Sequence, residues 1–181
     1  MHKATSEDLG LLEKFLASSC SKGDRGIYSV CPRKDVTIVM YFFWRDDIAS
    51  SKWPNFVGAY YEMPPEVSES VGIVFDYATT HSNSDGYFEL QIPSNQVKDY
   101  DEFMVKLKNT KGVWKRDTLI WENMKQEGWG NTIEKLDPKQ IKYFAFRARH
   151  AGKGYISLDN LYLLKEDGTE IPMPKGLRQL R

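Results

Sequence analysis

Apolar and polar residues alternate with a period of two along most of the chain. Over residues 70–78, Val71, Ile73, Phe75 and Tyr77 share one face. Over 87–92 the apolar set is Phe88, Leu90 and Ile92, and over 103–108 Phe103, Val105 and Leu107 alternate with Met104, Lys106 and Lys108. Successive side chains of a strand point to opposite faces, so this period predicts half-buried strands with those apolar residues in the core. Strand-like segments also span 25–30, 36–44, 56–63 and 114–121. Separators such as Arg45-Asp46-Asp47, Pro64-Pro65, Asn83-Ser84-Asp85-Gly86 and Gly128-Trp129-Gly130 carry turn chemistry. The stretch 141–164 closes the series. Its first arm sets Ile141, Phe144 and Phe146 against Lys142, Arg147 and Arg149, and its second runs Tyr155, Ile156, Leu158, Leu161, Leu163. Two glycines in Ala151-Gly152-Lys153-Gly154 supply positive-φ positions, so the stretch predicts a β-hairpin.

One helix is predicted, over 5–16, with Ser6 as cap and Leu9, Leu12, Phe15 and Leu16 on one face; the competing reading makes 12–16 a first strand. No strand–helix–strand alternation follows. Eight or more short strands with polar turns predict an all-β fold, an antiparallel β-sandwich of the jelly-roll type. Residues 1–24 read as an N-terminal segment, 25–165 as the β-domain and 166–181 as a C-terminal tail.

Composition narrows the function classes. The chain has 181 residues, 41% of them hydrophobic, enough for one domain with a sandwich core. Lys plus Arg and Asp plus Glu both number 25, a balance that gives no reason to expect nucleic acid or an anionic membrane as partner. There is no 18-residue apolar run and no basic segment leading into an apolar signal core, so an exported form would carry its signal elsewhere. Cys20 and Cys31 form either one disulfide or two free thiols, without the further ligands of a zinc site. His2, His81 and His150 have no metal-ligand spacing and no nucleophile partner. Asp76 and Glu89 are a candidate carboxylate pair for hydrolysis, but each alternates with core residues as solvated strand positions do. The expectation is a protein that is not an enzyme.

Four residues carry candidate chemistry. Tyr143 and Arg147 lie on the non-core face of one strand. They either stack on each other as a cation–π pair or offer an aromatic plate and hydrogen-bond donors to a sugar ring. Trp129, between two glycines, is either an anchor for its loop or an open stacking platform. Asp159 sits among Leu158, Leu161 and Leu163, where an unpaired buried carboxylate would be costly. It points to water, forms a bulge with Asn160, or holds a structural cation, Ca²⁺ first because that ion prefers oxygen ligands.

From Trp53 onward the order of motifs resembles the galactose-binding-like jelly rolls of carbohydrate-binding modules, most closely the β-glucan-binding modules of family 11. Phe56-Val57-Gly58-Ala59-Tyr60-Tyr61 is similar to that family's Tyr-Trp-Gly-x-x-Tyr strand, and Ile73-Val74-Phe75-Asp76 to its Ile-Ser-Phe-Asp. Trp114-Lys115 and Leu119-Ile120-Trp121-Glu122-Asn123-Met124 resemble its Trp-Lys and Ile-Pro-Phe-x-x-Phe segments. Ile141, Phe144, Phe146, Gly154, Asp159-Asn160-Leu161 and Leu163 resemble its closing strands. The resemblance implies a non-catalytic domain that binds a polysaccharide, a β-glucan or related plant cell-wall glycan. It also implies that the domain is extracellular and acts beside a tethered glycoside hydrolase. It places ligand-binding aromatics at Trp129 and Phe56 and a structural Ca²⁺ on Asp159. If Leu12-Glu13-Lys14-Phe15 matches the family's first strand, Glu13 is a second ligand.

Departures accompany the match. Where the family's closing strand carries an acid, a His and a Tyr, this chain has Lys142, Ala145 and Ala148. Tyr143, Arg147 and Arg149 are the candidate substitutes, which shifts ligand preference, and Lys106 and Lys108 on a neighbouring strand open the alternative of an acidic glycan. Asp117 stands where the family has an apolar residue. The alternatives to a glycan binder are a protein-interaction or assembly domain on the same fold and a glycan-active hydrolase.

Overall fold

The computed structural model describes residues 27–33, 36–44, 56–149 and 152–173, and among these ten strands form two antiparallel sheets. The strands are β1 (Ile27–Arg33), β2 (Val36–Trp44), β3 (Phe56–Glu62), β4 (Gly72–His81), β5 (Tyr87–Ile92), β6 (Phe103–Leu107), β7 (Lys115–Ile120), β8 (Tyr143–Arg149), β9 (Gly152–Leu164) and β10 (Glu170–Pro172). The first sheet has the order β1-β2-β9-β4-β7, with β10 beside the end of β9; the second has the order β3-β8-β5-β6. No α-helix occurs among the described residues, and the helix or strand expected over 5–16 lies outside them, as do Glu13 and Cys20.

Strands β4, β5, β6, β8 and β9 each contribute one apolar face to a shared core. Ile73, Phe75 and Tyr77 of β4 and Ile156, Leu158, Leu161 and Leu163 of β9 face Phe88, Leu90 and Ile92 of β5, Phe103 and Leu107 of β6, and Phe144 and Phe146 of β8. Phe75 meets Phe146 edge-on at 5.9 Å, a contact that joins the sheets. Burying one such side chain contributes about 1.5–3 kcal/mol, which is why the period-two pattern locates the core. At one end Trp121 packs on Phe144, ring centroids 5.5 Å apart, while its indole N–H donates to Ser70 Oγ at 3.0 Å. Trp121 and Met124 are both buried around a single 3-10 turn, Trp121–Asn123.

Three expectations change. The stretch 141–164 is not a hairpin: β8 pairs with β3 and β5, whereas β9 pairs with β2, β4 and β10. Gly152 and Gly154, expected in a turn, lie inside β9 opposite Trp44 and Phe42 of β2, and the two amphipathic arms bury their apolar faces against each other across the core. Residues 166–173, read as tail, add β10 to the first sheet, and Met173 N–H donates to Leu161 O at 2.9 Å. Asp117 is paired with Phe75 in register and held by Lys115 at 2.9 Å on the edge strand β7, which explains an acid at an apolar-looking position.

Asp159 sits at a bulge. Val74 pairs with Tyr162 but Asp76 with Asp159, so Asn160 and Leu161 together oppose Phe75, and Asn160 takes φ +49°. Asn tolerates that left-handed conformation. The extra residue keeps Leu161 and Leu163 in the core while Asp159 stays on the outer face.

Candidate functional site

Alternation in the second sheet puts Tyr87, Glu89 and Gln91 of β5, Met104 and Lys106 of β6, and Tyr143, Ala145, Arg147 and Arg149 of β8 on the face away from the core. Register lines up one rung across all four strands: Gly58, Arg147, Glu89, Lys106. Glu89 is the centre of that rung and is 0% exposed. Its Oε1 accepts from Arg149 Nη2 at 2.7 Å and Nε at 2.8 Å, and from Gln91 Nε2 at 3.0 Å. Glu89 Oε2 and Gln91 Oε1 are buried without a hydrogen-bond partner among the described residues. Burial pushes the Arg147 guanidinium below its usual range, with the Arg149 charge acting in the same direction and Glu89 opposing it. Toward the chain's other sheet end, burial raises the Glu102 carboxyl against the Ser94 N–H, Lys142 and Arg147, which pull it down. Lys106 is exposed and lies 4.4 Å over the Tyr87 ring.

Beyond the edge strand β6, two loops are locked together. Met104 N–H donates to Lys125 O at 2.9 Å, which brings residues 125–131 beside the 99–101 turn that precedes β6. The buried Asp101 carboxylate, 1% exposed, accepts from the backbone N–H groups of Glu127, Gly128 and Gly130, each at 3.0 Å. Asp99 Oδ2 accepts from Asn131 N at 2.6 Å and Nδ2 at 2.8 Å, and the Asn131 N–H holds the Asp99 carboxyl below the usual carboxylate range. Gln126 adds a third brace, donating to Asp101 O at 2.6 Å and accepting from Ile133 N at 2.6 Å. Gly130 fits because a Cβ there would stand 2.7 Å from Asp101 Cβ and from both Asp99 carboxylate oxygens. The product of this bracing is an indole held out in solvent: Trp129 is 58% exposed, with its Nε1 donating to Glu127 Oε2 at 3.1 Å.

No family model matches the sequence, and no curated protein matches it. Solved structures do match the fold, two of them as follows. The family 11 carbohydrate-binding module of a cellulosomal cellulase of Clostridium thermocellum covers 84% of this chain with 85% of its own, at TM-score 0.51 and 14% identity. The family 11 carbohydrate-binding module from Clostridium thermocellum in complex with a β-1,3-1,4-mixed-linked tetrasaccharide covers 86% of this chain with 88% of its own, at TM-score 0.53 and 15% identity. The chain has their fold. It is the two-sheet jelly roll expected from the strand pattern and the motif order.

Against this geometry the expected site residues fall in three places. Tyr143, Arg147 and Lys106 share the outer face of the second sheet, Arg147 and Lys106 on one rung with Glu89 between them. Phe56 pairs with Arg149 on the neighbouring strand, described by its backbone position alone. Trp129 stands apart from that face, on the braced loop beyond β6. Asp159 lies on the other sheet, opposite Asp76, whose carboxylate accepts from Asn160 Nδ2 at 2.7 Å and Arg116 Nη1 at 3.4 Å. No group of three or more His, Cys, Asp or Glu gathers among the described residues, at Asp159 or elsewhere. Asp76 and Glu89 sit on the outer faces of different sheets with the core between them, so this pair does not flank a cleft. Nor is Glu89 solvated, as its alternation suggested: Gln91 and Arg149 close over it. Nothing in the chain marks 99–101 as the partner of 127–131, so Asp99, Tyr100 and Asp101 carry no signal of their role in the sequence.

Proposed function

We propose that this domain is a non-catalytic carbohydrate-binding module that holds a polysaccharide, a β-glucan or related plant cell-wall glycan, by stacking on Trp129 and hydrogen bonding to the outer face of the second sheet. Exposure of Trp129 on a loop fixed by five hydrogen bonds from its backbone and Asn131 to two aspartates is the observation that carries the reading. A tryptophan that merely anchored a loop would be buried, as Trp121 is; one held rigidly in water is suited to an amphipathic plate such as a pyranose ring. Tyr143, Arg147, Lys106 and the β3 position of Phe56 supply the polar and aromatic wall. The oligosaccharide complex of one structural neighbour supports a glycan ligand, and the cellulase context of the other supports an extracellular protein acting beside a glycoside hydrolase. Among the described residues no helix is long and apolar enough to cross a membrane.

Affinity electrophoresis through gels containing glucans, xylans or pectins tests the reading. Retardation by one polysaccharide, lost in Trp129→Ala, is expected. Uniform migration favours a protein-interaction domain, and release of reducing sugar favours a hydrolase. A structural Ca²⁺ bound by Asp159 and Glu13 belongs to the same reading; it predicts a thermal midpoint that rises with Ca²⁺, falls with chelator and loses both responses in Asp159→Asn. Equal midpoints with and without the ion remove the calcium.

A further inference from the structure

We propose that Tyr100 is a second stacking residue, and that with Trp129 it forms a two-loop platform for a neutral polysaccharide chain in preference to a uronate-bearing one. This rests on the carbohydrate-binding reading and names its ligand class and a further residue. Tyr100 is 82% exposed, the barest large side chain of its kind among the described residues, and its backbone sits at φ +68°. A non-glycine residue pays strain there, and a tyrosine gains nothing from the core in return. Glycine or asparagine would serve the turn better, so the ring is what the position provides.

The second observation is where that ring is mounted. Tyr100 lies between Asp99 and Asp101, and these two carboxylates grip Gly128, Gly130 and Asn131, the residues around Trp129. The two exposed aromatics are thus carried on interlocked segments, and neither loop can move without breaking the other's hydrogen bonds. Ordering is already complete before a ligand arrives, which lowers the entropic cost of binding.

Charge selects the chain. Segments 98–102 and 125–131 carry Lys98 and Lys125 against Asp99, Asp101, Glu102 and Glu127, a formal +2 − 4 = −2. Asp99 in particular stays charged into mildly acidic solution, because the Asn131 N–H holds its carboxyl low. A uronate laid on these rings meets like charge, whereas a neutral pyranose offers C–H bonds to the rings and hydroxyl donors to the carboxylates. Of these acids Glu102 is drawn to Lys142 and Arg147 on the sheet face; leaving it out, Asp99, Asp101 and Glu127 against Lys98 and Lys125 still give a formal +2 − 3 = −1 at the loops.

Affinity electrophoresis in separate gels of mixed-linkage β-glucan, xylan, glucomannan and polygalacturonate, with thermal midpoints for each variant, tests this. Wild type should be retarded by a neutral gel and not by polygalacturonate. Tyr100→Gly and Tyr100→Asn, both suited to the left-handed backbone, should each weaken retardation about fivefold or more without lowering the midpoint. Wild-type retardation in both variants, with Trp129→Ala still defective, overturns the role of Tyr100 and leaves the carbohydrate-binding reading standing. Retardation by polygalacturonate alone overturns the neutral ligand. A wild-type protein retarded by none of the gels overturns both readings together.

Discussion

Removing the Asp101 carboxylate is the sharpest perturbation of the braced loop. In Asp101→Ala the N–H groups of Glu127, Gly128 and Gly130 lose their acceptor at once. At about 1 kcal/mol net for each hydrogen bond, the loss is ~3 kcal/mol, with water recovering part of it at the exposed Glu127 and Gly128. Asp101→Asn isolates hydrogen bonding from shape. It keeps the Cβ against which Gly130 packs and one oxygen for the Glu127 N–H, but turns an NH₂ group toward the donors of Gly128 and Gly130. Two of three bonds fail, so ~2 kcal/mol is expected.

Urea unfolding followed by circular dichroism measures both variants. With a slope of about 2 kcal/mol/M, the midpoint should fall by ~1.5 M in Asp101→Ala and ~1 M in Asp101→Asn, slopes unchanged. Glycan retardation should fall in Asp101→Asn although no atom of the exposed rings has been altered, since the mount and not the platform is damaged. If Asp101→Asn unfolds within about 0.5 kcal/mol of wild type and binds as well, the carboxylate is not what holds Trp129 in place.

The remaining predictions concern the second sheet and pH. Glu89→Ala leaves Arg149, only 7% exposed, without the carboxylate that holds its Nε and Nη2, and should cost about 3–5 kcal/mol; Glu89→Leu combined with Arg149→Met should cost much less than the two single changes summed, read from denaturant midpoints. Asp99 has its carboxyl held below the ordinary Asp value of 3.8 in the folded state, so near that pH the unfolded chain binds more protons than the folded one. Its contribution is therefore complete above pH 3.8 and lost as pH falls through the lowered value, and Asp99→Asn should flatten the acid limb of the stability curve; an unchanged limb refutes it.

Which face of β4, β5, β6, β8 and β9 meets the core was readable from the chain, and which strand lies beside which was not. Phe88, Leu90 and Ile92 announce their burial by spacing alone, because alternation is imposed locally by the pleat. The partners of β8 and β9 are a global choice. Gly152 and Gly154 suit a tight reversal but are also tolerated inside a strand, where β9 holds them, and the local pattern of both arms is the same in either case. What decides is that each arm needs an apolar surface opposite its own, and facing arms across a core satisfy that need as well as neighbouring arms cannot.

The same distinction separates the parts of the candidate site. Trp129 could be picked out because the family resemblance places a ligand-binding aromatic there, while its flanking glycines left anchor and platform open, and Tyr143 and Arg147 because they fall on the non-core side of a strand. Glu89 falls on that side as well, yet it is buried, since Arg149 and Gln91 on its own face spend their hydrogen bonds on it. Polarity at an outward position therefore predicts direction but not exposure; exposure depends on whether long neighbours fold over the group or extend away from it. At the loops the dependence reaches further. The turn at 99–101 looks like a connector rich in acids, and its meaning comes from the Gly128 and Gly130 amides that its carboxylates accept from across the fold. An Asp-x-Asp turn and a Gly-Trp-Gly turn are each commonplace; joined, they make a rigid mount with an aromatic on either half. That is why the feature best suited to meeting a ligand is also the one that a pass along the chain, residue by residue, is least able to assemble.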